Sequence, residues 1–365
     1  MQYIDFEDNG NSIELQLPEE IYFAFNKSVV MMSVSGLKRA FVHIGSGDAQ
    51  YDAVGVAING TVTMDVSSYI QSIFDDAKFN IDQKNKINLT NLCRIVSFHF
   101  GYELEDGTIR KGVYQTNITY IWGALMVGET FGGFKQYTAW KGYPFSFPIY
   151  ISRAGLISGV LNRNGFSYNV DSSGLYAFVI AERIVSVGVC RVTLTSAETI
   201  ETTFSSAFDS SFQAKKNGEG TEVCLIDFKE YREGVYLRWI DRHGTWKYWL
   251  FERGDESKAV TADGEFIRSV LGTTSTISEE LGYSGRRKGY EVERTIELCA
   301  PLVDSDTYDM LSDISSSPVV DLWLGDDYNN WMSVTIKEGT YQKTRAVLQD
   351  FICNMVLNDI AVQRL

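Results

Sequence analysis

The stretch GVYLRWIDRHGTWKYWLF, Gly234 to Phe251, decides the fold class of this chain. Its first arm sets Val235, Leu237 and Trp239 against Tyr236, Arg238 and Ile240. A polar turn follows, Asp241-Arg242-His243-Gly244, in which Gly244 can take a positive φ. The second arm, Thr245 to Phe251, carries Trp246, Tyr248, Trp249, Leu250 and Phe251. Aromatic and β-branched residues at period two around a Gly-ended turn predict an antiparallel hairpin. Its Trp residues bury large areas, and aromatic cross-strand pairs stabilise a sheet. Leu237, Trp239 and Trp249 are therefore expected to be buried, and the hairpin to form the centre of a C-terminal domain.

Outward from the hairpin, the chain keeps the same character. Downstream, Asp304 to Ser315 reads as a helix, capped by Asp304 or Ser305 and lined by Tyr308, Leu311 and Ile314, with Pro318 beyond its end. Val319 to Leu324, Trp331 to Lys337 and Ala346 to Val356 are the last expected strands. Upstream, Val223 to Phe228 leads in, after a loop over Ser205 to Glu219. Strands are expected near Ala177 to Ile184 and Val187 to Leu194, with turns at Asn164-Gly165 and Ser173-Gly174. Tyr143-Pro144-Phe145-Ser146-Phe147-Pro148 is rigid and non-helical, because proline fixes φ and removes donors. We place a domain boundary just after it, giving domains 1–150 and 151–365, the second built around residues 234–251.

The first domain reads as strands over Ser12 to Leu17, Ile21 to Ser35, Leu37 to Ile44, Leu92 to Leu104, Ile109 to Tyr114 and Asn117 to Leu125. Asp106-Gly107 turns one into the next, and Asp75 to Asn91 reads as a loop. Val54 to Ile58, Asn59-Gly60 and Thr61 to Met64 form its clearest hairpin, since Asn-Gly favours a type I′ turn. Asp65-Val66-Ser67-Ser68 opens a short helix, with an Asp or Ser as cap and Ile70, Ile73 and Phe74 on one face. The expected fold is all-β with two short helices, arranged as two β-sandwich-like domains.

Composition excludes several classes. The net charge of −14, from 33 basic and 47 acidic residues, repels phosphate backbones, so nucleic acid is not an expected partner. The one dense basic cluster, Arg286-Arg287-Lys288, reads as a solvated loop. The start of the chain lacks the basic and apolar regions of a secretory signal, and no apolar run nears the roughly 18 residues that cross a bilayer. The expectation is a product made in the cytoplasm without a signal peptide, with no membrane partner. The five cysteines, Cys93, Cys190, Cys224, Cys299 and Cys353, are far apart and lack C-x-x-C spacing. They are expected to be free thiols and small buried apolar residues, neither disulfides nor zinc ligands.

The chain shows no motif that carries catalysis. His43 and His99 lie in strand patterns and His243 in a turn, where structural roles are expected. The nucleophile elbow G-x-S-x-G is absent, although Gly282-Tyr283-Ser284-Gly285 comes within one residue of it. Gly45-Ser46-Gly47 lacks the lysine and helix of a phosphate loop and reads as a hairpin turn. Asp241, Asp326 and Asp327 lie beside Trp residues, and Trp122, Trp140 and Tyr143 could stack on a sugar. Polar turns and core or interface aromatics account for both groups more simply. No catalytic residue, metal ligand or cofactor site is assigned.

Met64-Asp65-Val66-Ser67-Ser68-Tyr69-Ile70-Gln71-Ser72-Ile73-Phe74, Tyr143 to Phe147 and the central YLRWIDRHGTWKYWLF resemble segments of tail-associated proteins from phages and prophages of gut Bacteroidetes. The C-terminal part is similar too. A helix through Leu311 precedes Ser316-Ser317-Pro318-Val319-Val320, a strand with Trp323, and Trp331-Met332-Ser333-Val334-Thr335-Ile336. Distal-tail-like proteins share a helix followed by a strand carrying W-x-x-V. The resemblance implies a β-rich virion component that assembles into a ring or baseplate, and it brings no catalytic residue with it. The expected function is thus a non-enzymatic structural part of a tail, located in the virion, whose partners are copies of itself and other tail proteins. A carbohydrate-binding or adhesin-type module that meets a surface glycan is the alternative, and a glycan-cleaving enzyme a more remote one.

Overall fold

Ile13, Leu15 and Leu17 alternate with Ser12, Glu14 and Gln16, and the strand they form buries only the apolar set. That pattern, repeated along the chain, produces a computed structural model that is 61% strand and 7% helical, with two α-helices and several multi-strand sheets among the described residues. It is the all-β fold with two short helices expected from the sequence. The structure describes residues 1–82, 87–126, 135–151, 155–161, 164–180, 187–196, 216–217, 220–262, 265–269, 283–287 and 289–357. Most of the expected Ser205 to Glu219 loop, Ala181 to Ile184 and the side chains of Arg191, Thr193 and Leu194 in the expected Val187 to Leu194 strand lie outside the described residues.

The chain divides into two compact units. One comprises Met1–Arg232, Ile240–Tyr248 and Asp326–Asn329, the other Glu233–Trp239, Trp249–Gly325 and Asn330–Leu365. Residue 150, expected near a boundary, lies inside a strand at 145–151. The tip of the central hairpin is counted with the first unit and its base with the second.

The first unit begins with β1 (Gln2–Asp8), β2 (Asn11–Leu17), β3 (Ile21–Phe23), β4 (Val29–Val34), β5 (Leu37–Ser46), β6 (Ala49–Val56), β7 (Thr61–Asp65), α1 (Ser67–Ile73), β8 (Ile87–Leu89), β9 (Cys93–Leu104) and β10 (Ile109–Ile121). Two sheets, ordered β1-β2-β4-β7 and β3-β10-β9-β5-β6, face each other across one core. Leu15, Met32 and Val62 come from the first sheet, Val42, Phe98, Phe100 and Tyr120 from the second, and Ile70 and Ile73 from α1. Each such fully buried side chain stabilises the fold by about 1.5–3 kcal/mol. A polar clamp joins the sheets as well. Asp8 accepts hydrogen bonds from Tyr102 at 2.8 Å and from both Nε and Nη2 of Arg110 at 3.1 and 3.0 Å.

Four expectations here need correction. Asp75 to Asn91, expected as a loop, holds the strand β8. Asn59-Gly60 does adopt the paired positive φ of a type I′ turn, 53° and 79°, but the flanking strands do not form a hairpin. A single bridge, Ile58 to Thr61, joins them; β6 then pairs with β5 and β7 with β4, in different sheets. Gly55 permits this corner, because a Cβ there would lie 2.3 Å from Val62 Cγ1. Next, α1 has Val66 at its N-cap rather than an Asp or Ser, while Asp65 accepts from the Ser67 amide at 3.0 Å. Finally, Ile109 to Tyr114 and Asn117 to Ile121 are one strand, β10, with an irregularity between Arg110 and Tyr114, and the rest of the expected Asn117 to Leu125 strand lies beyond its end.

The unit continues with β11 (Lys135–Trp140), β12 (Phe145–Ile151), β13 (Gly155–Leu161), β14 (Asn164–Val170), β15 (Gly174–Ile180), β16 (Gly188–Ser196), β17 (Lys216–Asn217) and β18 (Gly220–Lys229). One sheet runs β11-β18-β16-β13-β14 with β17 on β18, the other β12-β15-β8. Pro148 sits in the edge strand β12, where a missing donor disturbs no interior ladder. Phe145 and Phe147 of β12 pack on Tyr137 of β11, with ring centroids 6.0 and 6.4 Å away.

The second unit contains β19 (Val235–Ile240), β20 (Trp246–Ala262), β21 (Glu265–Ser269), β22 (Tyr283–Arg287), β23 (Tyr290–Val303), α2 (Ser305–Ser312), β24 (Val320–Trp323), β25 (Trp331–Ser333), β26 (Thr335–Ile336) and β27 (Gln349–Leu357). Its main sheet is ordered β25-β24-β19-β20-β23-β27-β26, so the two hairpin arms are neighbours in its middle. Asp304 caps α2 by accepting from the Thr307 amide at 2.8 Å, and Tyr308 and Leu311 pack on the sheet. The core gathers Leu237, Trp239, Phe251, Leu298, Phe351 and Met355. Leu237 and Trp239 are fully buried, as expected, whereas Trp249 is only partly buried against the same cluster.

Candidate functional site

The turn of the central hairpin is held by its own first residue. Asp241 is buried, and its Oδ1 accepts from the His243 amide at 3.0 Å, the Thr245 amide at 2.9 Å and Thr245 Oγ1 at 3.0 Å. Lys247 Nζ lies 3.3 Å from Oδ2 and His243 Nδ1 3.7 Å from it. A short acidic side chain that caps its own turn is the ordinary use of Asp at such a position. Gly244 takes φ +72°, as the sequence requires, and a Cβ on it would lie 2.0 Å from the Trp122 carbonyl oxygen. A Cβ on Gly123 would lie 2.5 Å from the Arg242 oxygen. The turn therefore meets the segment after β10 backbone to backbone, sealed by a hydrogen bond from the Ala124 amide to the Arg242 oxygen at 2.6 Å. Asn26 fixes the same segment through Leu125, donating to its carbonyl at 2.7 Å and accepting from its amide at 2.6 Å. Asp241 thus serves the fold.

The aromatic residues singled out for sugar stacking are placed apart from that role. Trp140 and Tyr143 are buried, and Tyr143 donates to the Arg232 carbonyl at 2.7 Å. Trp122 packs edge-on against Phe25 and Phe79, with centroids 5.3 and 5.2 Å away. Asp326 takes a positive φ of 62° in an exposed turn, and Asp327 accepts from the Asn329 amide at 2.9 Å.

Sequence reasoning missed a cluster on the face of the second unit's sheet opposite its core. Arg238 is buried in β19 and donates from Nε to Asp321 Oδ2 of β24 at 2.9 Å, with Nη2 at the same distance. Its guanidinium lies 4.2 Å from the centroid of the Trp331 ring, and Ser333 donates to Asp321 Oδ1 at 3.0 Å. Tyr236 packs between Trp323 and Trp331, at 6.3 and 6.0 Å. The available signal was an Arg inside an apolar strand arm together with an Asp inside the Val319 to Leu324 strand.

Two of the three histidines come together. His43 and His99 stand directly opposite on β5 and β9, with rings 5.9 Å apart, and His43 Nδ1 lies 2.8 Å from Asp52 Oδ1. The third, His243, packs against Phe23 at 6.3 Å. All five cysteines are free thiols. Burial pushes Cys93 and Cys353 up to about 12 and Cys190 up to about 11, which suppresses thiolate at neutral pH. Cys93 and Cys299 are partly exposed, which corrects the expectation that all five are buried. Arg286 and Arg287 lie in β22 rather than a loop, and Lys288 and Gly282 lie outside the described residues. Among the described residues, no group of three or more His, Cys, Asp or Glu gathers to hold a metal, and no helix is long and apolar enough to cross a membrane.

No protein-family model matches the chain, and no curated protein matches it. Among solved structures, it is similar to a bacterial ice-binding adhesin of 1.5 MDa described for host cell surface retention, at 10% identity and a TM-score of 0.17. That likeness covers 79% of this chain and 89% of the adhesin chain. It is also similar to trypsin-activated alpha-2-macroglobulin from Escherichia coli, at 10% identity and a TM-score of 0.20, covering 81% of this chain and 23% of that one. Likenesses this slight carry no argument about function.

Proposed function

We propose that the chain is a non-enzymatic structural component of a phage or prophage tail, assembling through its β-rich units with copies of itself and with other tail proteins. The observation that supports this reading most directly is the edge formed by β6, which no second strand joins among the described residues. This strand ends its sheet and carries Val54 and Val56 at 58% and 68% exposure, followed by Ile58 at 76%. An apolar row on an unpaired edge invites strand pairing, and natural proteins usually blunt or cover such edges. A subunit that becomes buried in a ring covers it on assembly. The resemblance of the Met64 to Phe74, Tyr143 to Phe147 and hairpin segments to tail proteins points the same way. The net charge of −14 keeps the free subunit soluble until it meets its partners.

The test is mass spectrometry and electron microscopy of particles from an induced prophage carrying this gene. The chain should be found in the particle, in its tail. Particles that lack it, together with tight binding on a glycan array or hydrolysis of a polysaccharide, would replace this reading by the carbohydrate-binding or the enzymatic one.

A further inference from the structure

A polar row crosses the outer face of the five-stranded sheet. Asp52 on β6, His43 on β5, His99 on β9 and Gln115 on β10 stand directly opposite one another, strand by strand. The interior-facing neighbours of these residues, Ala53, Val42, Ile44, Phe98 and Phe100, are buried, so the pleat turns the row outward. The His43 side chain is 44% exposed.

We propose that His43 and His99 form a surface site for a divalent transition metal of the nickel, copper and zinc class, with His43 binding through Nε2. Asp52 carries the chemistry of the argument. Its carboxylate only accepts, so the 2.8 Å contact to His43 Nδ1 places the ring proton on Nδ1 and leaves the Nε2 lone pair outward. A carboxylate behind an imidazole, fixing tautomer and ring orientation, is the usual second layer of a histidine metal site. Imidazole nitrogen is a good ligand for these ions, and copper is held most tightly of the three.

The spacing suits one shared ion. Two imidazoles bound at about 2.1 Å from nitrogen to metal place their ring centres roughly 5 Å apart. The rings here are 5.9 Å apart at 65°, so small side-chain rotations close the difference. The backbone positions are already set by an uninterrupted ladder from His43 to its partners on both sides. Gln115 is across from His99 and can offer its amide oxygen; water or an incoming ligand takes the other positions. With two histidines the site is open and of modest affinity, and the acidic surface favours its occupation by cations.

The experiment is calorimetric titration of the intact chain with Ni²⁺, followed by absorbance in the near ultraviolet. The expected result is one saturable site without a thiolate-to-nickel band. His43→Ala and His99→Ala should each weaken it at least about tenfold, and Asp52→Ala by about 10- to 100-fold. His243→Ala should leave it unchanged, and all variants should melt with the parent. No saturable heat at millimolar Ni²⁺, a thiolate band, or unchanged affinity in His43→Ala and His99→Ala would each overturn the proposal.

Discussion

β19 and β27 belong to the same seven-stranded sheet, yet they are buried differently. β27 alternates cleanly: Phe351, Cys353 and Met355 face the core, while Asp350, Ile352 and Asn354 are exposed. β19 is buried on both faces from Tyr236 to Ile240. Leu237 and Trp239 meet the core, and Tyr236 and Arg238 are enclosed on the other side with Asp321, Trp323 and Trp331. A one-sided strand needs only the right apolar set, because a slip of one residue would turn that set to water. A two-sided strand must also satisfy whatever polar group its second face carries. Charge burial without a partner costs several kcal/mol, and here Asp321 and the Trp331 ring provide the partners.

The largest expected effect comes from the shared side of this comparison. Trp239→Ala should cost about 3–5 kcal/mol, measured by denaturant unfolding. A variant that unfolds with the parent would remove β19 from the core. On the second face, Asp321→Ala strands the Arg238 charge and should cost about 3 kcal/mol. The apolar double variant Arg238→Met/Asp321→Leu should recover most of that loss. If it is no better than the single variant, packing rather than the ion pair dominates that face.

A third test sets this enclosed pair against the Asp8 clamp of the first unit, whose Arg110 is 40% exposed. The Arg110 hydrogen bonds, helped by Tyr102, hold the Asp8 carboxyl below the usual carboxylate range. A carboxyl with a lowered folded-state pKa stabilises the fold fully above its unfolded value of about 3.9. That contribution fades as pH falls from there through the folded value. The stability gap between the parent and Asp8→Asn should therefore be constant near neutrality and shrink below about pH 4. A gap that does not change with pH would show that Asp8 acts by shape alone. The smallest effect belongs to the exposed face of β27, where Ile352→Thr should shift stability by no more than about 0.5 kcal/mol. A larger loss in the isolated chain would mean that this face is covered.

Much of the fold was legible because the signals were local. The Asp304 cap, the face of Tyr308, Leu311 and Ile314, and the positive φ of Gly244 all depend on residues within one turn. So did the hairpin arms, whose aromatic alternation predicts strand without knowledge of any partner. The Asn9-Gly10 turn between β1 and β2 carried the same signal as Asn59-Gly60 and went unused, although its φ values are 54° and 81°. The candidate metal row was legible only in part. His43 and His99 each read as strand residues, but 56 positions of sequence separate them, and only the pairing of β5 with β9 sets them opposite.

By itself, the sequence determined the strand-rich class, the two expected helices, some of the turns and the apolar face of most strands, although Asn164-Gly165, expected as a turn, is paired strand in β14. Those follow from backbone preference and from the periodicity with which side chains leave the chain. The tertiary structure decided which strands pair. Asn59-Gly60 sets the same tight turn whether its arms join or part, and the crossing at Gly55 sends β6 and β7 into different sheets. It also decided which polar residues are enclosed: Arg238 looks like the solvent side of an alternating strand until Asp321, Ser333 and Trp331 are brought over it. The reason is the same in both cases. Pairing and enclosure depend on contacts between residues far apart in the chain, and local periodicity carries no record of which distant strand will supply them.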